Sequence, residues 1–175
     1  EPPEKRAAAN TQSVLEYLDR NNIFVVPLDD ERGWYRYHHL FADLLRQRLQ
    51  REQPERIPVL HRRASEWYEQ HGGIAQAVSH ALTGEDFDRA ARLIQQTGWA
   101  TLTRGEMTTI LGWIAVLPRD IVRAHPQLSV LHAWAMAKSG RLDEVESCLQ
   151  DIDLDQLQGQ AAAVRAYVAG VRGNL

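Results

Sequence analysis

Apolar residues recur with a helix-like period along most of the chain, and the pattern breaks near the N-terminus. Val14, Leu15 and Leu18, helped by Tyr17, mark one face of a first helix. Ser13 and Glu16 fit a capping box at its start, and Asn21-Asn22 ends it. Ile23-Phe24-Val25-Val26 is β-branched and aromatic and is followed by Pro27, which predicts a strand at a sheet edge. Asp29 to Gly33 is a polar turn, and Trp34-Tyr35-Arg36-Tyr37 reads as a second strand, making a β-hairpin. From about His39 to Arg51 the helical period returns, with Leu40, Phe41, Leu44, Leu45 and Leu49 on one broad face.

Helix, hairpin, helix is the back half of a winged-helix domain. The front half needs two more helices, so the sequence is expected to begin inside a domain. Beyond Pro54 and Pro58 the pattern stays helical. The spacing predicts helices over 57–71, 73–83, 86–97, 107–116, 119–124, 127–139, 141–151 and 157–172, with Gly72-Gly73, Gly84, Gly98, Gly105, Pro118, Pro126 and Gly140 between them. The fold class expected is mainly α: a partial winged helix followed by an antiparallel, tetratricopeptide-like helical superhelix. The expected division is 1–53, the C-terminal part of the winged helix, and 54–175, a helical arm and the start of the repeats.

Self-similarity is weak but present. Ala77-Val78, Ala81-Leu82 and Gly84 precede Phe87 to Ile94; Ala133 to Ala137 and Gly140 precede Leu142 to Leu149. Each is a helix with small residues on its face, a Gly, and a second helix opening near an Asp. Small residues allow close helix approach, and Gly allows the reversal. The two pairs lie about 55 residues apart, whereas a strict tetratricopeptide array repeats about every 34.

Composition narrows the chemistry. The formal net charge is -3, with signs mixed, so neither nucleic acid nor a membrane surface is demanded as a partner. Arg supplies the basic residues except for Lys5 and Lys138, a bias that codon usage explains as readily as function. Cys148 is the only cysteine and reads as a packed, reduced thiol. No apolar run reaches the length of a membrane span, and Glu1-Pro2-Pro3-Glu4 has no signal-peptide character, so a cytoplasmic protein is expected.

No phosphate-binding loop, nucleophile elbow or zinc spacing occurs, so the segment is not expected to be an enzyme and no catalytic or metal residue is assigned. His38, His39, His61, His71 and His80 invite a metal, but His61 and His71 stand about 15 Å apart along one helix. Glu85-Asp86 suits a helix start and Asp29-Asp30 a turn. Trp67, Tyr68, Trp99, Trp113 and Trp134 are read as packing anchors. Residues 46–63 carry six arginines against Glu52 and Glu55, a stripe that suits phosphate contacts. The helix over 13–20, which occupies the recognition position, carries Glu16, Asp19 and only Arg20, which does not suit base reading.

Residues 15–50 resemble the winged-helix segment of the LAL group, the large ATP-dependent LuxR-type regulators. The resemblance rests on Leu15-Glu16-Tyr17-Leu18, on Asn22 to Leu28, and above all on Trp34 to Leu45 with its Tyr37-His38-His39-Leu40-Phe41 block. His61 to Tyr68, Ala75 to Leu82, Trp113 to Pro118 and Pro126-Gln127-Leu128 extend it over most of the chain. It implies a fragment of a STAND-class signal-transduction ATPase that rests in an ADP-bound closed form and opens with ATP and an inducer to self-associate. Its implied partners are an upstream nucleotide-binding domain and a downstream DNA-binding domain of the same chain, plus an inducer whose identity is unknown. DNA would be contacted by the parent rather than by this segment, and no membrane is involved. ATP or ADP is implied for the parent, and no cofactor for the fragment itself.

Related STAND proteins carry a Met-His-Asp motif whose His contacts the β-phosphate of ADP. The resemblance places His38 at that position, as a cofactor-binding residue of the parent protein. His39 stands where the motif has Asp, which removes the helix-start hydrogen bond that an Asp supplies. The opposing structural role for His38 is a ring that caps the helix or packs beneath the hairpin. Two other functions compete with the regulator: a free-standing tetratricopeptide-like adaptor and a winged-helix DNA-binding protein.

Overall fold

The structure is a computed structural model that describes residues 13–21, 23–31, 33–150 and 154–173. It is mainly helical with one small hairpin, as predicted, and it divides into two compact units, Glu1–Arg56 and Ile57–Leu175.

In the first unit, helix α1 covers 13–20. Ser13, expected as its cap, is itself helical, and the Glu16 carboxylate faces Arg20 one turn on, at 3.2 Å. Strands β1 (Val25–Pro27) and β2 (Tyr35–Tyr37) pair antiparallel, with Val25 opposite Tyr37 and Pro27 opposite Tyr35. Pro27 is tolerated because β1 has a partner on one side only. The Asp29 carboxylate shapes the turn by accepting from the backbone N–H groups of Gly33 (2.9 Å) and Trp34 (3.2 Å). Helix α2 (His39–Glu52) follows.

The apolar face predicted for α2 exists, but within its unit it is not buried. Leu40 and Leu44 are 68% and 58% exposed, and Val25 is the buried apolar residue among those described here. The hairpin and two helices among the described residues enclose too little volume to cover that face.

The second unit contains α3 (Arg56–Gln70, starting at the boundary), α4 (Ile74–Thr83), α5 (Phe87–Thr103), α6 (Met107–Val116), α7 (Arg119–Ala124), α8 (Pro126–Lys138), a 3-10 turn (Leu142–Glu144), α9 (Val145–Gln150) and α10 (Leu154–Gly173). The two helix pairs foreseen from small residues, α4 with α5 and α8 with α9, do pack together. The second opens differently from the prediction. A 3-10 turn precedes α9, and residue 151, included in the predicted helix, lies outside the described residues. Asp86 caps α5, its carboxylate accepting from the Arg89 N–H, as its position beside Glu85 suggested.

Two apolar cores form. Val78, Ala81, Leu93, Ile94, Ile110, Trp113 and Leu131 belong to the first; Val130, Ala133, Val145, Leu149, Ala161 and Val164 to the second. Helix α8 serves both, sending Leu128, Leu131 and Ala135 one way and Val130, Ala133 and Met136 the other. That double duty explains why α8 is apolar on nearly every face.

Helix α5 corrects the prediction most sharply. Gly98 does not end it; the helix continues to Thr103. A Cβ at Gly98 would lie 2.2 Å from Leu131 Cδ2, so this glycine lets α5 and α8 approach closely rather than acting as a stop.

Candidate functional site

The junction between β2 and α2 holds the residue singled out by the resemblance, His38. Its backbone is doubly tied. The His38 N–H donates to the Phe24 carbonyl at 2.7 Å, and its own carbonyl accepts from the Ala42 N–H at 2.9 Å, the first bond of α2. Phe24 reaches this position with φ at 55°, a left-handed turn unusual for an aromatic residue. The turn stacks its ring on Phe41 (centroids 4.8 Å, planes 19° apart), and Tyr37 meets Phe41 edge-on at 5.5 Å. An aromatic clamp from strand and helix therefore sets where His38 stands.

The His38 side chain is exposed and does not cap α2. Its ring lies 4.3 Å from that of His39. It borders two shallow grooves. One, of about 420 Å³, is apolar and lined by Phe24, Val25, Val26 and Leu40; the other, of about 220 Å³, is lined by Val26, Arg36, Tyr37 and His39. The first turn of α2 carries no acidic residue, as the replacement of Asp by His39 implied. The result is an imidazole at a helix N-terminus, with unopposed backbone N–H groups behind it and Arg36 alongside. That arrangement suits an anion: the ring donates, and the helix end and guanidinium supply positive charge. Arg36 was not named as a site residue from sequence. Its alternation with Tyr35 and Tyr37 in a strand leading into His38 was the available signal.

The other histidines separate. His61 and His80 meet, Nδ1 to Nδ1 at 2.9 Å, with His80 stacked on Tyr68 (5.5 Å, 14°). His71 instead stacks on Trp67, 4.0 Å between centroids. Among the described residues no three His, Cys, Asp or Glu side chains gather to hold an ion. Trp113 sits in the first core, with Tyr68 and Trp134 packed against core residues; Trp67 and Trp99 remain more than a third exposed.

Burial, and next the neighbouring His61, hold His80 below its ordinary pKa of 6.5. A histidine kept neutral by the fold takes up its proton more readily once unfolded. Its stabilising contribution is present above about pH 6.5 and lost as pH falls through the lowered value. The melting temperature of the chain is therefore expected to drop between pH 7 and pH 5. His80→Phe, which keeps the stack on Tyr68, should flatten that slope; an unchanged slope would assign it elsewhere.

The arginine stripe is largely self-neutralised. Arg46 pairs with Asp43 (2.8 Å), Arg48 with Glu52 (3.0 Å) and Arg62 with Asp86 (3.3 Å). On α1, Arg20 is held by Glu16.

Comparison with known proteins places these elements. The family described as the MalT winged helix domain matches residues 6–57, the stretch that holds the hairpin, the aromatic clamp and His38. That segment, under a third of the chain, is similar to this winged helix domain. The similarity runs well past that domain. The HTH-type transcriptional regulator MalT of Vibrio campbellii is 32% identical over 166 residues, which is 89% of this chain and 18% of that protein. MalT of Cronobacter sakazakii is 32% identical over 167 residues, 91% of this chain and 18% of that protein. The serine/threonine-protein kinase PknK of Mycobacterium tuberculosis is also 32% identical, over 169 residues, 90% of this chain and 15% of that protein. The chain thus spans less than a fifth of the length of these relatives. No solved structure matches it. Among the described residues no helix is long and apolar enough to cross a membrane.

Proposed function

We propose that this chain is the switch segment of a larger, cytoplasmic, ATP-dependent regulator. Its winged helix closes on the nucleotide of an upstream domain, and its helical-repeat arm carries the nucleotide state to inducer-binding repeats and an output domain. The segment itself catalyses nothing. The observation that carries this reading is that one stretch, winged helix plus arm, is similar to equal degree to a transcriptional regulator and to a kinase. A part common to proteins with different named outputs is suited to control rather than to output. MalT-like relatives favour transcription as the parent's output; the PknK similarity supports a second reading in which the output is phosphorylation.

Within this proposal His38 donates a hydrogen bond to a phosphate of ADP, with Arg36 and the start of α2 adding positive charge. The aromatic clamp orients the ring, and the groove beside it offers an apolar wall. His39 takes no part in nucleotide binding.

The test is made in the full-length parent. His38→Ala is expected to weaken ADP retention roughly tenfold to a hundredfold, the loss of one hydrogen bond to a charged group, and to raise basal output. Nucleotide occupancy and output both unchanged would remove His38 from the site. A parent reading frame with no phosphate-binding loop upstream would remove the whole reading. The free-standing adaptor and the DNA-binding protein make different predictions. The adaptor needs no nucleotide domain. The DNA-binding protein requires salt-sensitive duplex binding by this segment alone, which the paired arginines and the acidic α1 speak against.

A further inference from the structure

At the second core two soft sulfur donors and an imidazole come together from two helices. His132 and Met136 stand four residues apart on α8 and therefore share a face. Cys148 reaches them from α9: its Sγ lies 3.5 Å from His132 Nδ1 and 3.4 Å from Met136 Sδ. Three donors that each sit about 2.0–2.3 Å from one ion stand roughly 3.5–4 Å apart. The two spacings from Cys148 are close to those between ligands of a trigonal site.

The Cys148 S–H donates to Met136 Sδ, and the Cys148–His132 contact runs in either direction according to the ring tautomer. Met136 Sδ is an acceptor only. A neutral imidazole carries a lone pair on one of its two ring nitrogens. Met136 is 7% exposed and belongs to the same apolar core as Ala133, Val145 and Leu149, and the half-buried Cys148 packs against that core.

We propose that His132, Met136 and Cys148 form a binding site for copper(I). Thiolate and thioether sulfur select a soft cation, and copper(I) accepts three ligands without a hard oxygen donor. The ion displaces the thiol proton, which leaves to solvent; Cys148 sulfur bonds to the metal and no group is oxidised or reduced. The thiolate and the ion together are neutral, which suits a site beside an apolar core.

The experiment uses the reduced 175-residue chain, titrated without oxygen against copper(I) held by a competing chelator. One equivalent is expected to transfer, with X-ray absorption showing two sulfur neighbours and one nitrogen. Met136→Leu keeps the core filled and should weaken the affinity by at least about tenfold. Cys148→Ser should abolish the transfer, and melting curves of both variants establish that they are folded. The proposal is overturned by any of three results: no transfer from the chelator, transfer retained by Cys148→Ser, which would place the ion on surface histidines, or an affinity unaffected by Met136→Leu.

Discussion

Gly98→Val is expected to destabilise the second unit by about 3 kcal/mol, an overpacking cost at the upper end of what a well-packed core shows. Leu131 is 2% exposed, so the methyl group in the way has no free volume to enter. At about 4 °C per kcal/mol for a unit of this size, the melting temperature should fall by roughly 10 °C. Gly98→Ala sets the same clash against a gain of about 1 kcal/mol in helix propensity, and should lose less. The decisive comparison is the pair Gly98→Ala with Leu131→Ala. Removing the leucine side chain makes room for the new methyl, so the double variant should be more stable than the two single losses predict, by more than about 1 kcal/mol. Strict additivity, or a Gly98→Ala protein as stable as the parent, would show that α5 and α8 do not approach closely at this point.

In the first unit Phe41→Ala should have the largest effect, about 2–3 kcal/mol for removal of a half-buried ring with two aromatic partners. Phe41 stacks on Phe24 and meets Tyr37 edge-on, holding the hairpin to α2. The readout is the His38 amide, bonded to the Phe24 carbonyl at 2.7 Å. Its hydrogen exchange should quicken roughly thirtyfold to a hundredfold, the factor that corresponds to such an energy. Phe41→Leu, which fills part of the space, should fall between. An amide protected equally in all three proteins would mean that the clamp does not set the position of His38, and the proposed orientation of its ring would lose its support.

Reading the sequence worked where a local rule had no competitor. The hairpin was legible because β-branched and aromatic residues flank a polar, Gly-containing turn, and Asp29 closes that turn with its own carboxylate. The α4–α5 and α8–α9 pairs were legible because small residues at helical spacing have few uses other than close packing. One reading failed. Gly98 looked like a stop because glycine usually lowers helix stability, yet the core gains more from the approach of α8 than the helix loses. The apolar face read on α2 is present, and within its own unit it stays exposed, because periodicity shows that a face is apolar and says nothing of what covers it.

The candidate sites divide along the same line. His38 was legible because its neighbours in sequence, Tyr37 and His39 to Phe41, are also its neighbours in space. Arg36 was overlooked although it lies two positions away, since its place beside the ring depends on the strand ending where it does. His61 with His80, and Cys148 with His132 and Met136, are separated by 19, 16 and 12 positions, and no local pattern brings them together.

By itself, then, the amino-acid order determined the class of each segment, the hairpin and its turn, and the one residue placed at the strand-to-helix junction, because these depend on backbone preference and on contacts within a few residues. Tertiary structure alone decided where α5 ends, that α8 serves two cores, and which histidines and sulfurs meet. Those outcomes depend on which helix faces are pressed together, and that is a property of packing between distant segments rather than of any one of them.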